Sequence, residues 1–115
     1  MPFVDDQEML SGAPLPGWQG RFFHSENMTF ALWTIDAGAA DLHEHHHEQE
    51  EVWNVVEGEV LLVVDGVEHV VRAGSAAVVP PDTPHAARPR GACRVVVTDF
   101  PQREHLPGMQ HAPPS

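Results

Sequence analysis

The sequence predicts an all-β fold, one domain of about eight short antiparallel strands closed into a sandwich or barrel. Three observations predict it. Valine-rich runs are broken at short intervals by glycines and prolines, 9 and 11 of them in 115 residues. No stretch carries apolar residues at the 3.6-residue spacing of an amphipathic helix, so a doubly wound α/β fold lacks its crossover helices. Asp65-Gly66 stands between two apolar runs, and that pair suits the type I′ turn of a β-hairpin.

The strands follow in order. Residues 1–17, with Asp5, Asp6, Pro14, Pro16 and Gly17, read as an irregular arm with at most a short edge strand. Residues 18–23 and 28–35 read as strands separated by the turn His24-Ser25-Glu26-Asn27. After Asp36-Ala37-Gly38 comes a histidine-rich stretch, then a strand over 52–56. Glu57-Gly58-Glu59 turns the chain into Val60-Leu61-Leu62-Val63-Val64, a continuous apolar run expected of a strand covered on both faces. Residues 67–72 and 75–79 return as strands. Pro80-Pro81-Asp82-Thr83-Pro84 interrupts them, because proline has no N–H to give a ladder. Residues 93–100 form the last strand, and the proline-bearing residues 101–115 read as an extended tail. The core is expected over about 18–101, with the arm 1–17 and the tail 102–115 outside it.

Composition narrows the partners. Net charge is −11, with six arginines and no lysine. Such a surface repels phosphate backbones, so nucleic acid is not an expected partner. No apolar run is long enough to span a bilayer, and the N-terminus lacks the pattern of a secretory signal. The lone Cys93 sits in an apolar run and reads as a small buried hydrophobe. A cytoplasmic protein is expected.

The chemistry concentrates in His43-Glu44-His45-His46-His47-Glu48-Gln49-Glu50-Glu51, where eight of nine side chains are imidazoles or carboxylates. These are the donors divalent metals take. In an extended strand His43, His45 and His47 share a face and His46 takes the other. His45-x-His47 and His43-x-His45 both remain open as the metal-binding pair, with Gln49 or Glu51 as a further donor. His46 and His69 read as surface residues, and His24, His105 and His111 carry no supporting pattern. Phe30, Trp33, Trp53 and Val55 read as core or pocket lining.

Two blocks have a fixed spacing. The first is His45-x-His47-x3-Glu51-x6-Gly58 and the second Gly74-x5-Pro80-x-Asp82-x2-His85. Over residues 38–89 the sequence resembles the cupin superfamily, whose motifs read G-x5-H-x-H-x3,4-E-x6-G and G-x5-P-x-G-x2-H-x3-N. Six residues separate Gly38 from His45, one more than the pattern has. Asp82 replaces a glycine, a swap that a left-handed turn allows, and Pro89 replaces the terminal asparagine.

The resemblance, to a small single-domain cupin, implies a double-stranded β-helix, or jelly roll, with a divalent metal (Fe, Mn, Ni or Zn) in its mouth. His45, His47, Glu51 and His85 are the implied ligands, with His43 as the alternative. Thr98-Asp99-Phe100-Pro101-Gln102-Arg103 is similar to the segment after the last strand in small cupins like the pectin-degradation protein. That likeness implies Arg103 as a carboxylate-binding residue and Asp99 as an acid/base. Asp99 and Phe100 are adjacent and so face opposite ways.

The implied function is a metal-dependent enzyme acting on an oxygenated small molecule, a sugar acid or keto acid, by isomerase/lyase-type or dioxygenase chemistry. The alternative is a non-catalytic, metal-containing small-ligand or sugar-binding module. Small cupins also imply a homodimer.

Overall fold

Alternating apolar and polar residues give each strand one face to bury, and two such faces closing on each other make the core. The computed structural model describes residues 2–104 and 109–110. A 3-10 turn at Asp6–Glu8 precedes the strands. The strands are β1 (Leu10–Gly12), β2 (Trp18–His24), β3 (Thr29–Ile35), β4 (Leu42–His45), β5 (Glu50–Glu57), β6 (Glu59–Val64), β7 (Val67–Arg72), β8 (Ala76–Val79), β9 (His85–Pro89), β10 (Cys93–Phe100) and β11 (Met109–Gln110).

They form two antiparallel sheets, ordered β11-β1-β2-β3-β10-β5-β8 and β4-β9-β6-β7. From β3 to β10 the chain changes sheet at every connection except the β6–β7 hairpin. This is the jelly roll the sequence implied, and it brings distant segments to one mouth. Among the described residues no helix is long and apolar enough to cross a membrane.

Register explains the interior. Inward residues of the large sheet stand in ranks, because β10 pairs with both β3 and β5. The first rank is Glu51, Asp99, Thr29 and His24. The second is Trp53, Val97, Ala31 and Phe22, and the third is Val55, Val95, Trp33 and Gly20. Val60, Leu62, Val71 and Ala87 of the small sheet are buried in the same core. Cys93 is buried with them, and burial pushes its thiol up. Both residues of the Asp65-Gly66 turn have positive φ, 50° and 79°, as a type I′ turn requires.

Several expectations are corrected. Residues 42–45 and 85–89 are strands, though neither shows an apolar alternation. The arm carries the short edge strand allowed for it, β1, which pairs with β2, and residues 109–110 of the tail pair with β1. Leu61 and Val63 are only half-buried, so one face of β6 is partly open. His105 and His111 lie outside the described residues.

Candidate metal centre and cavity

β4 and β9 are antiparallel neighbours, and His45 stands directly opposite His85. Their ring centroids are 4.3 Å apart. The chain leaves β4 at His45, so His47 lies in the β4–β5 connection and not on a strand face with His43 and His45. The sequence parity fails here because the strand ends before His47. His47 is held instead by its backbone: its carbonyl accepts the Asp82 N–H at 2.8 Å. Asp82 sits at φ 56°, the left-handed conformation that asparagine, aspartate and glycine tolerate best. The proline-rich turn before β9 thereby fixes the loop that carries His47.

One ligand-type atom from each of His45, His47 and His85 falls within 4.8 Å of the others, and so do one each from His47, Glu51 and Asp99. His43 belongs to neither group. Its side chain is exposed, and its carbonyl lies 3.0 Å from Nδ1 of His45. His85 Nδ1 lies 2.8 Å from the Thr83 carbonyl. A carbonyl accepts only an N–H, so each contact places the proton on Nδ1 and leaves Nε2 bearing a lone pair. Gln49, the other alternative donor, turns away and donates to the Gln102 carbonyl at 3.2 Å.

The Glu51 carboxylate closes the ring. Its Oε2 lies 3.2 Å from His47 Nε2 and its Oε1 3.3 Å from His85 Nε2. Neither nitrogen makes a hydrogen bond of good geometry, and both are buried. The His85 lone pair facing a carboxylate calls for a positive charge between them, a proton or a metal cation. An outer carbonyl on the far nitrogen is also the usual way a metal-binding histidine is oriented. The residues therefore fit a divalent metal, with three nitrogens and a carboxylate as donors.

Environment separates the titrating groups. Burial alone pushes the Glu51 carboxyl up, but polar contacts with His47, His85, Asp99 and Trp53 outweigh it and hold it well below the usual carboxylate range. Asp99 goes the other way, pushed up to about 9 by burial and by the neighbouring Glu51. Burial lowers His45, reinforced by the neighbouring His85 and His47. His85 is raised, because Glu51 and the Thr83 carbonyl outweigh its burial.

Asp99 points inward and Phe100 outward, as strand alternation requires. Asp99 is 2% exposed and Phe100 52%. Asp99 pairs in register with Glu51, and its Oδ1 has no hydrogen-bond partner. Arg103 Nη1 lies 3.9 Å from Glu51 Oε2, too long for a hydrogen bond. The Arg103 backbone N–H donates to Thr29 Oγ1 at 3.0 Å, which fixes the start of the tail to the first rank. Trp53 Nε1 donates to Glu51 Oε1 at 2.6 Å.

Sequence reading missed two of these roles. Trp53 was legible only as lining, although its two-residue spacing from Glu51 puts both on one strand face. Thr29 is the single hydroxyl among the inward residues of β3, Thr29, Ala31, Trp33 and Ile35. A polar residue at an inward position was the available signal.

The mouth opens on a cavity of about 460 Å³, of a size usual for small-molecule sites. His45, Glu51, Asp99 and Arg103 line one part of it. Leu15, Trp18, Trp33, Leu42 and Val97 are among the residues lining the rest.

Comparison with known proteins agrees with this architecture. The model of the cupin domain matches residues 31–99. An RmlC-like cupin from Shewanella frigidimarina is 28% identical with a TM-score of 0.80, covering 90% of this chain and 94% of that one. KdgF from Halomonas sp. is 23% identical with a TM-score of 0.79, covering 90% and 96%. Bacillus subtilis oxalate decarboxylase, a protein with Mn(II) centres, is 13% identical with a TM-score of 0.75, and the match covers 96% of this chain and 33% of that one. No curated protein sequence matches the chain significantly.

Proposed function

The chain belongs to the cupin domain family, and from that premise we propose that it is a metal-dependent enzyme acting on an oxygenated small molecule, a sugar acid or keto acid. The observation that carries the proposal is the convergence of His45, His47, His85 and Glu51, with two of the imidazoles tethered through their far nitrogens. The Mn(II) centres of oxalate decarboxylase lend support, since they sit in a protein of the same fold.

His45, His47, His85 and Glu51 would hold the metal. When bound, a divalent ion supplies Lewis acidity to a carbonyl or hydroxyl oxygen of the substrate. Arg103 orients the substrate, its planar guanidinium being matched to a carboxylate. Asp99 is placed to carry the proton: it lines the cavity beside Glu51, and in the metal-free protein burial and that neighbour push its carboxyl up to about 9. A carboxyl so placed can protonate an enolate-like carbon or oxygen and take the proton back. Trp53 holds Glu51 in place through its indole N–H.

A turnover screen tests this. The protein is loaded in turn with Fe, Mn, Ni and Zn and offered sugar acids and 2-oxo acids, with and without oxygen. Metal-dependent turnover that falls at least about a hundredfold in Asp99→Asn is expected. Turnover that survives complete metal removal would refute the proposal. Dependence on oxygen would select dioxygenation over isomerase or lyase chemistry.

A further inference from the structure

Along the β3–β10 wall the cavity changes from polar to apolar, and strand register says where the change falls. Glu51 and Asp99 stand in the first inward rank, Val97 and Ala31 in the second, and Trp33 in the third. All five line the cavity. Two ranks are four residues along a strand, roughly 14 Å. A ligand lying along β10 with its reacting atoms at Asp99 therefore runs its remaining length past Val97, Ala31 and Trp33.

The other walls continue the pattern. Pro14 and Leu15 come from the arm and Leu42 from β4. Trp18 meets the Trp33 ring edge-on at 5.7 Å, and its indole N–H is already given to the Ala40 carbonyl at 2.7 Å. Among the described residues lining the cavity there is no serine, threonine, asparagine, glutamine or tyrosine. Besides the first rank and Arg103, the charged or imidazole lining groups are His43, Glu44, His45 and His46, all on β4 or just after it.

Aromatic rings also stack on sugars, so the tryptophans alone do not discriminate. The hydroxyls do. A sugar acid carries several of them away from its carboxylate, and each needs a partner once water is lost. Here the wall made by β2, β3, β10 and the arm offers none beyond the first rank, and any partners must come from His43, Glu44, His45 and His46 on the β4 side.

We propose that the substrate is an oxygenated head on an apolar body, of the class of aryl- or branched alkyl-substituted 2-oxo acids, and not a polyhydroxylated sugar acid. This deepens the enzyme reading above and rests on it for the head. Arg103 takes the carboxylate, the 2-oxo group lies toward Glu51 and Asp99, and the apolar body fills the space between Leu15, Leu42, Val97 and Trp33. A glycine at position 20 makes room for that wall, because the Trp33 ring occupies the space a Cβ there would need.

The test is isothermal titration calorimetry on the full chain with phenylpyruvate, pyruvate and galacturonate, with metal content measured on the same samples. Phenylpyruvate should bind about ten- to a hundredfold tighter than pyruvate, which has the head without the body. It should bind at least about tenfold tighter than galacturonate. Leu15→Asn should weaken phenylpyruvate binding and leave pyruvate binding and metal content unchanged. Leu42→Asn repeats the test on a separate element, in case the first variant does not fold.

Equal or tighter binding of galacturonate would overturn the proposal, as would pyruvate binding as well as phenylpyruvate, or no binding of any of the three. Metal-stripped protein that keeps the phenylpyruvate preference would support the apolar body and overturn metal-dependent capture of the head. Metal-replete protein without the preference would overturn the substrate class and leave the metal centre standing.

Discussion

Replacing Trp53 with phenylalanine keeps a ring in the second inward rank and removes one hydrogen bond. That bond runs from the indole N–H to Glu51 Oε1 at 2.6 Å, with both residues buried. A hydrogen bond to a charged acceptor is worth about 1.5–3 kcal/mol, and here the acceptor is left without water. Shrinking the ring leaves roughly 40 Å³ of new space, which at about 24 cal/mol per Å³ adds about 1 kcal/mol. The metal-free variant should therefore lose about 2.5–4 kcal/mol in urea denaturation.

Glu51 is also released, so metal affinity should fall about ten- to a hundredfold, as when an outer partner of a ligand is removed. Trp18→Phe is the control. It loses a comparable bond, to the Ala40 carbonyl, but that bond is not to Glu51. It should lower stability and leave metal affinity as it was. The reasoning fails if Trp53→Phe binds metal like the parent, or if both variants weaken metal binding equally.

Other consequences follow from the same geometry. His85→Ala should lose most bound metal yet keep its circular dichroism spectrum, because the apolar core does not depend on the ion. In the metal-free protein, a raised His85 binds its proton more tightly folded than unfolded. Its contribution to stability is fully present below pH 6.5 and is lost as pH rises through the higher folded value. The melting temperature of chelator-treated protein should drop over that rise, and His85→Gln should flatten the drop. Gly20→Ala forces a Cβ against the Trp33 ring and should cost about 1–3 kcal/mol as overpacking, read by urea denaturation. Arg103→Lys should raise KM for a carboxylate substrate more than it lowers kcat, because one point charge replaces a two-pronged donor.

Much of the fold was legible because the period-2 pattern is strong wherever a strand has one buried face. Residues 67–72 and 93–100 have the predicted limits, and Asp65-Gly66 has the predicted turn. β4 and β9 were not legible, for a physical reason. Leu-His-Glu-His and His-Ala-Ala-Arg-Pro have little apolar surface of their own and become strands by pairing with each other, with β9 also pairing to β6.

At the site, the likeness of two sequence blocks to the cupin motifs implied His45, His47, Glu51 and His85, and the structure brings these four close together. Parity alone could not separate His43 from His47, since alternation puts both on the same strand face; what separates them is the end of β4 between them and the backbone contact of His47 with Asp82. The Trp53–Glu51 bond and the anchoring of Arg103 on Thr29 depend on cross-strand register, which a linear pattern does not carry.

The central claim is that His45, His47, His85 and Glu51 together hold one metal ion. Elemental analysis of untagged protein, purified without metal resin, tests it most directly when run beside His43→Ala, His45→Ala and His85→Ala. About one equivalent of divalent metal per chain is expected in the parent and in His43→Ala, and little in the other two. Full occupancy in His85→Ala, or loss in His43→Ala with retention in His45→Ala, would contradict it.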